Sequence, residues 1–426
     1  MFCRGLMNVH DVSFHSAAGA QLTVTADGCY SAGAADHAGT LLLSGKGCCG
    51  NRQIYYIHIL QIADVPIPTT DNDMTTKFLL PVLILIALIP APVLTAQDAK
   101  PWYFGDPTSR PDPDPKAKTL PLIKVQGNKF VTPDGKTVLF RGLSISDPDK
   151  IERQGHWNKT HFEQVKKTGA MIVRIPVHPV AWRERTPEKY LELLREAVDW
   201  CTDLGMYVII DWHSIGNLWM ELFQDPMYNT TKTETYEFWR TIARNFAGHN
   251  TVAFYELFNE PTIYRGELGS LPWSEWKKIN EHMISLIRAY DPETIPLVAG
   301  LDWAYDLSPL RDDPVNAEGI AYVTHPYAFK RGQPWEPRWE ENFAFAAAQV
   351  PVVATEFGLH TDMAAPDYND YGNRIIKFLE GRGISWMCWI YDPQWWPQML
   401  KSWDYELTEG GLFFSKAMKG EMEFQK

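Results

Sequence analysis

Residues 207–213, YVIIDWH, form a nearly continuous apolar run that ends in polar side chains. Strands buried on both faces have this pattern, because a parallel sheet is covered by its own crossover helices. Seven more such runs follow the same rule: VLFRG (138–142), MIVRIPV (171–177), VAFYELFNE (252–260), IPLVAG (295–300), IAYVTHPY (320–327), VPVVATEF (350–357) and ISWMCWIY (384–391). The sequence therefore predicts eight buried strands.

The segments between these runs have helical periodicity. From Pro187 to Leu204, apolar residues recur at spacings of three and four, and a second stripe of this kind runs from Glu275 to Tyr290. Each strand with its helix has the length of one βα unit. Eight units in series predict an α/β fold, a (β/α)8 TIM barrel, with an open doubly wound sheet as the alternative. Ahead of them, residues 123–142 predict a short N-terminal β-hairpin that turns at Pro133-Asp134-Gly135.

The composition of the 426 residues, with 45% hydrophobic residues and a net charge of -12, is that of a globular protein. The negative charge argues against nucleic acid or an anionic membrane as the partner. No Gly-x-Gly-x-x-Gly follows the first strand, and the chain has no His-Glu-x-x-His, Cys-x-x-Cys or Gly-x-Ser-x-Gly motif. We therefore expect no cofactor and no metal.

The first hundred residues differ from the rest, since all 17 Trp lie at or after Trp102. The uncharged run FLLPVLILIALIPAPVL (78–94) predicts a signal peptide over residues 74–96 and a secreted protein, extracellular or periplasmic; a membrane anchor is the alternative. Residues 1–73 show no sustained helical or strand period. We interpret them as upstream read-through or a disordered tail, with a cytoplasmic tail ahead of an anchor as the competing interpretation.

Residues 97–118 are rich in Pro and predict a leader or linker, so that residues 119–426 form the barrel domain. Without residues 1–96 the chain keeps two cysteines, Cys201 and Cys388, which we expect to be core thiols. After signal cleavage we expect no membrane association, and a monomer.

Polar residues end six of the eight apolar runs, at the strand ends where a barrel carries its active site. They are Arg174, His213, Asn259, Glu260, His325, Tyr327, Glu356 and Trp389. Glu260 and Glu356 each end a strongly apolar run. Two carboxylates that face each other across a barrel mouth are what glycoside hydrolysis requires. The alternative is that both are structural and pair with Arg.

These eight residues, in this order, resemble the characteristic set of glycoside hydrolase family 5, the cellulase family of the retaining barrel clan. The resemblance covers roughly residues 120–415 and fills every position of the set. It implies that Glu260 is the general acid/base and Glu356 the nucleophile. On physical grounds we expect burial and the charge of Glu356 to raise the pKa of Glu260, and Arg174 and Tyr327 to hold Glu356 ionised.

The other site residues have supporting roles in this interpretation. Asn259 is expected to bond the sugar 2-hydroxyl, His213 and His325 to orient carboxylates and hydroxyls, and Trp389 to form a stacking floor. Of nine further Trp after strands, we expect three or four to bind sugar rings: Trp182, Trp212, Trp219, Trp273, Trp303, Trp335, Trp339, Trp395 and Trp396.

The predicted substrate is a β-linked polysaccharide or oligosaccharide, and the predicted activity that of an endo-β-1,4-glucanase, a cellulase. A β-mannanase or another β-glycanase with the same catalytic set is the first alternative. A noncatalytic carbohydrate-binding barrel is the alternative of another class, although it would require one of the two carboxylates to be replaced.

Overall fold

The computed structural model describes residues 119–359 and 368–425, together with the backbone of six short strands between residues 7 and 58. The chain divides into two compact units, Met1–Leu94 and Thr95–Lys426. The predicted signal peptide (74–96) and Pro-rich leader (97–118) lie outside the described residues, and the origin of residues 1–73 stays a prediction.

The first unit contains a four-stranded antiparallel sheet and a separate hairpin. These strands lie in a stretch without a sustained sequence period. This is possible because the hydrogen bonds between strands join backbone groups and do not require alternating side chains. Their bounds are Met7–Asn8, Asp11–His15, Gln21–Thr25, Cys29–Ala32, Thr40–Lys46 and Arg52–His58.

The second unit contains eight parallel strands that close into a barrel in chain order, which confirms the predicted (β/α)8 fold. Pairing of the last strand with the first closes the barrel. The strands are β1 (Arg141–Ile145), β2 (Ile172–Val177), β3 (Tyr207–Trp212), β4 (Val252–Glu256), β5 (Ile295–Ala299), β6 (Ala321–Thr324), β7 (Val352–Ala354) and β8 (Ser385–Tyr391).

Helices cover the outside of the barrel, as the parallel sheet requires. The helix Pro187–Leu204 has the predicted bounds, and Gly205 ends it in a left-handed conformation with φ 66°. The second predicted helix runs from Trp273 to Arg288. The other helices of six or more residues are Pro148–Arg153, Lys159–Lys167, Pro179–Arg185, Lys232–Phe246, Trp335–Asn342, Tyr368–Gly381 and Glu409–Met418.

The predicted N-terminal hairpin is present and gains a third strand. Lys124–Gln126, Lys129–Val131 and Thr137–Val138 pair antiparallel. The Phe130 ring lies 4.9 Å from that of Phe254 on β4, so this small sheet packs on the barrel.

The strand bounds differ from the sequence prediction in ways that matter for the site. The first barrel strand is 141–145 rather than 138–142, because Thr137–Val138 pairs with the hairpin instead. β4 ends at Glu256, so Asn259 and Glu260 lie in the segment beyond it. Arg174 lies within β2 and not at its end. Apolar sequence continues past some strand ends, which is why periodicity alone does not locate them.

The core confirms the prediction for the two cysteines of this unit. Cys201 and Cys388 are buried and unpaired, and burial raises the pKa of both thiols. No helix among residues 119–359 and 368–425 is long and apolar enough to cross a membrane.

Candidate active site

A cavity of about 810 Å³ opens where the barrel strands end, and it contains most of the predicted site residues. Its walls carry carboxylates, histidines and aromatic rings together. The predicted residues that line it are His213, Glu260, Tyr327, Glu356 and Trp389. The remaining three, Arg174, Asn259 and His325, are fully buried. Arg174 and His325 bond lining residues from behind, and Asn259 accepts a bond from Arg174.

Glu356 follows β7 by two residues, and two donors hold its carboxylate. Arg174 Nη1 donates to Oε2 over 3.0 Å, and the Tyr327 hydroxyl donates to Oε1 over 2.8 Å. Both bonds favour the charged carboxylate. This is the arrangement that the sequence predicted for Arg174 and Tyr327.

Arg174 is the centre of a buried charge cluster. Its guanidinium donates to both oxygens of Glu256, over 2.7 and 3.0 Å, and to Asn259 Oδ1 over 2.6 Å. It also pairs with Asp211 Oδ2 at 2.9 Å. Burial alone would lower the pKa of Arg174, but Asp211, Glu256 and Glu356 raise it, so the guanidinium is always charged. One cation thus orients groups from β3, β4 and the loops after β4 and β7.

Glu260 is positioned by a short ladder beyond β4. Its backbone N–H donates to the carbonyl of Ser214 over 3.1 Å, and Glu260–Pro261 pairs with Ile215–Asn217. The Glu260 side chain meets His325 Nδ1 at 3.0 Å. His325 Nε2 in turn lies 3.0 Å from the Thr355 hydroxyl, so the ring is held from both sides.

The proton balance between the two carboxyls differs from the sequence expectation. Burial raises the pKa of Glu260, but Lys330 and His325 lower it further, so that it lies below its ordinary value. Burial raises the pKa of Glu356 above its ordinary value, against His325 and Arg174. The expected order was the reverse. Burial outweighs the donors at Glu356, and at Glu260 the main opposing charge is Lys330, whose Nζ lies 3.9 Å from Oε1 and which no sequence pattern indicated.

His213 and Trp389 form a stacked pair on another wall. Their rings are 5.3 Å apart with an interplanar angle of 3°. His213 Nδ1 lies 2.7 Å from Asp211 Oδ2, and burial holds the pKa of His213 well below its usual range, so the ring is neutral. Trp395 continues the stack at 6.1 Å from Trp389. The wall therefore presents neutral, flat surfaces to the cavity.

Known proteins of one family match this chain. A family model described as Cellulase (glycosyl hydrolase family 5) matches residues 131–394. The chain belongs to glycoside hydrolase family 5. Among solved structures, the β-glucanase SdGluc5_26A from Saccharophagus degradans, in complex with cellotetraose, is 42% identical with a TM-score of 0.71; the match covers 75% of this chain and 98% of that one.

Curated relatives of this family 5 chain are endoglucanases. One from Clostridium saccharobutylicum is 28% identical over 316 residues, which cover 70% of this chain and 65% of the relative. Endoglucanase E-5 from Thermobifida fusca is 26% identical over 299 residues, which cover 67% and 59%. The chain thus spans about three fifths of the length of these relatives.

Four functional neighbours in this family 5 site were absent from the sequence prediction. Asp211 and Glu256 carried a usable signal, since each is a charged residue inside an apolar strand run, and such a residue must be paired when buried. Thr355 and Lys330 carried none, because a hydroxyl beside a strand and a loop lysine are common features.

The tryptophans separate into cavity and core. Trp303, Trp395 and Trp396 line the cavity together with Trp389. Trp219 and Trp273 are partly buried against the core. The other four are buried in the core: Trp182, Trp212, Trp335 and Trp339. Three of the nine therefore reach the cavity, and their binding of sugar rings stays a prediction.

Donor atoms of Glu260, His325 and Glu356 lie within 4.8 Å of one another, which is close enough to hold a metal ion. Glu356, however, already accepts bonds from Arg174 and Tyr327. A cation between these groups would meet the guanidinium charge and lose those bonds. The arrangement fits two carboxyls that share protons, and we assign no metal to it.

Proposed function

We propose that the protein is a retaining endo-β-1,4-glucanase with Glu260 as general acid/base and Glu356 as nucleophile. The observation that carries the proposal is the closeness of the two carboxyls, since one oxygen of Glu260 and one oxygen of Glu356 lie within 4.8 Å of each other. Retaining enzymes hold the pair about 5–5.5 Å apart, whereas inverting enzymes need about 6.5–9.5 Å to admit a water.

In the first step, a Glu356 oxygen attacks the anomeric carbon while Glu260 gives its proton to the departing glycosidic oxygen. The C–O bond to the leaving sugar breaks, and a glycosyl ester of Glu356 forms. In the second step, Glu260 takes a proton from water, whose oxygen attacks the anomeric carbon and releases Glu356. Two inversions return the β configuration.

The reactive protonation state has one proton in the pair, and that proton is on Glu260. Burial works against this state by raising the pKa of Glu356, and Lys330 and His325 work against it by lowering the pKa of Glu260. Arg174 and the Tyr327 hydroxyl work in its favour, because both bonds stabilise the ionised form of Glu356. Conversion of Glu356 to an ester removes its charge, and the accompanying fall in the pKa of Glu260 suits the base step. The two carboxyls titrate as a unit, so the limbs of a pH profile belong to the pair.

A β-glucan substrate is favoured by the aromatic rings around the cavity. Trp303, Trp389, Trp395 and Trp396 line it. Flat sugar faces pack on such rings, and the similar β-glucanase from Saccharophagus degradans was solved in complex with cellotetraose. A wild-type assay on carboxymethylcellulose, lichenan, mannan, xyloglucan and xylan tests the substrate class. Long early products support endo cleavage, and hydrolysis of mannan alone would overturn the glucanase proposal.

Azide rescue tests the two catalytic roles separately. The Glu356→Ala enzyme loses hydrolysis, and with added azide and an activated β-cellobioside it forms the α-glycosyl azide directly. The Glu260→Ala enzyme forms the β-glycosyl azide, because azide attacks the intermediate on Glu356. Asn373→Ala, on the helix Tyr368–Gly381 away from the cavity, is the control and keeps wild-type rates. Exchanged azide configurations would reverse the roles.

We also propose that the protein is exported and that residues 1–96 are absent from its mature form. The apolar run 78–94, followed by the small residue Ala96, supports this. N-terminal sequencing of protein from the culture fluid is expected to find a start near residue 97. A peptide from residues 1–73 in secreted protein would contradict the proposal.

A further inference from the structure

The loop after β6 contacts both candidate catalytic carboxyls. It carries His325, which bonds Glu260, and Tyr327, which bonds Glu356. It also carries Lys330, whose side chain is only 8% exposed and whose Nζ lies 3.9 Å from Glu260 Oε1. At this distance, a nearly buried ammonium strongly stabilises the ionised form of a carboxyl.

Lys330 has a second set of partners in the segment after β5. Its Nζ donates to the carbonyl of Trp303 over 3.1 Å and to that of Asp302 over 3.4 Å, and it lies 5.0 Å from the centre of the Trp303 ring. Asp302, Trp303 and Ala304 all have left-handed φ values, of 58°, 56° and 57°. Non-glycine residues adopt this conformation in succession only when other contacts hold it.

Further bonds fix this left-handed segment, residues 302–304, against the site. Arg331 pairs with the Asp302 carboxylate at 2.9 Å, and the backbone N–H of His325 donates to the carbonyl of Ala304 over 3.0 Å. The Trp303 indole N–H donates to Gln224 over 2.9 Å, across the cavity mouth. Trp303 is therefore held at a fixed distance from Glu260, with Lys330 between them.

We propose that Lys330 is a positioning residue that joins the acid/base Glu260 to a Trp303 platform for the leaving sugar. This inference rests on the proposed function. The acid must touch the oxygen between the two sugars, so the sugar that departs lies on the Glu260 side of the cavity. Lys330 and Trp303 are the groups that extend this side, whereas Trp389 and Trp395 stack on the wall with His213.

The charge of Lys330 also sets the upper end of the pH range for activity. This positive charge disfavours the protonated form of Glu260, so the pair Glu260 and Glu356 loses its last proton at a lower pH. The other groups that act on Glu260 come from the surrounding strands and loops: Arg174, Asp211, Tyr228, His325, Tyr327 and Glu356. All of them remain in a Lys330 variant, so a change in the profile reports on Lys330 itself.

The test is the pH profile of kcat/KM for Lys330→Met, Lys330→Arg and Trp303→Ala on cellotetraose. In Lys330→Met the alkaline limb is expected to move up by about one to three pH units, the usual effect of removing an opposite charge at this distance. Lys330→Arg keeps the charge and therefore the limb. Trp303→Ala raises KM without moving the limb. Lys278→Met, an exposed lysine on the helix Trp273–Arg288, serves as the control.

A cellobioside with a dinitrophenolate leaving group separates the effect of Lys330 on the proton of Glu260 from its contact with Trp303, because this leaving group needs no proton. On this substrate, the alkaline limb of the Lys330→Met profile is expected to coincide with that of the wild type. An unchanged limb in a folded Lys330→Met protein that cleaves cellotetraose would overturn the inference. A wild-type protein that cleaves no glucan would overturn the proposed function instead. Thermal unfolding of each variant identifies misfolding, and Lys330→Gln replaces Lys330→Met if that variant fails to fold.

Discussion

The bond from the Tyr327 hydroxyl to Glu356 permits a quantitative prediction. Tyr327→Phe removes a donor 2.8 Å from Oε1 and leaves the ring in place. A hydrogen bond to a charged group is worth about 1.5–3 kcal/mol. At about 1.4 kcal/mol for each pKa unit, its loss raises the pKa of Glu356 by about one to two units.

The direction of the effect on activity follows from the shared proton. A higher pKa for Glu356 draws the proton away from Glu260, and the reactive state becomes rarer. Because about 1.4 kcal/mol corresponds to a factor of ten, kcat/KM is expected to fall by roughly 10- to 100-fold. Both limbs of the pH profile are expected to move to higher pH, since each macroscopic pKa of the pair rises.

The assay is kcat/KM against pH for a chromogenic β-cellobioside, with wild type, Tyr327→Phe and Tyr207→Phe. Tyr207 is the matched control, because its hydroxyl donates to the Pro121 carbonyl far from the cavity. Thermal unfolding checks that all three proteins are folded. Wild-type values of kcat/KM and of both limbs in Tyr327→Phe would refute the reasoning.

Two further predictions concern stability. His161 is fully buried, both its ring nitrogens lack partners, and burial lowers its pKa from 6.5 to about 3. As the pH falls below 6.5, the unfolded chain therefore binds a proton that the folded chain does not, and the free energy of unfolding should fall by about 2 kcal/mol by pH 5. Urea unfolding at pH 7 and pH 5 should show a smaller fall in His161→Phe. An equal fall in both proteins would contradict the prediction. Glu256→Gln weakens the two bonds from Arg174, and because Asp211 and Glu356 still face the guanidinium we expect a cost of about 1.5–3 kcal/mol. Glu293→Gln, in an exposed pair with Lys124, is expected to cost about 1 kcal/mol or less by the same measurement. Equal costs would show that burial does not decide the difference.

The strands were the most predictable part of the fold. Runs such as YVIIDWH (207–213) are apolar on both faces because the barrel buries both, and this local pattern survives without knowledge of the partners. Strand ends were less predictable. Val138 is as apolar as the residues of the barrel strands, yet it pairs with Phe130 of the hairpin. The sequence does not show which of the two sheets it joins, because that depends on the strands available in the folded chain.

The sequence by itself determined the barrel, the order of the polar residues along it, and the pair Glu260 and Glu356, because each of these is written in local composition and spacing. The tertiary structure decided the electrostatics. Arg174 gathers carboxylates from three strands and loops, and Lys330 approaches Glu260 from a loop 70 residues further along the chain. A pKa depends on distances between groups that are remote in sequence, so neither the proton balance nor the Trp303 platform could be read before the chain was folded.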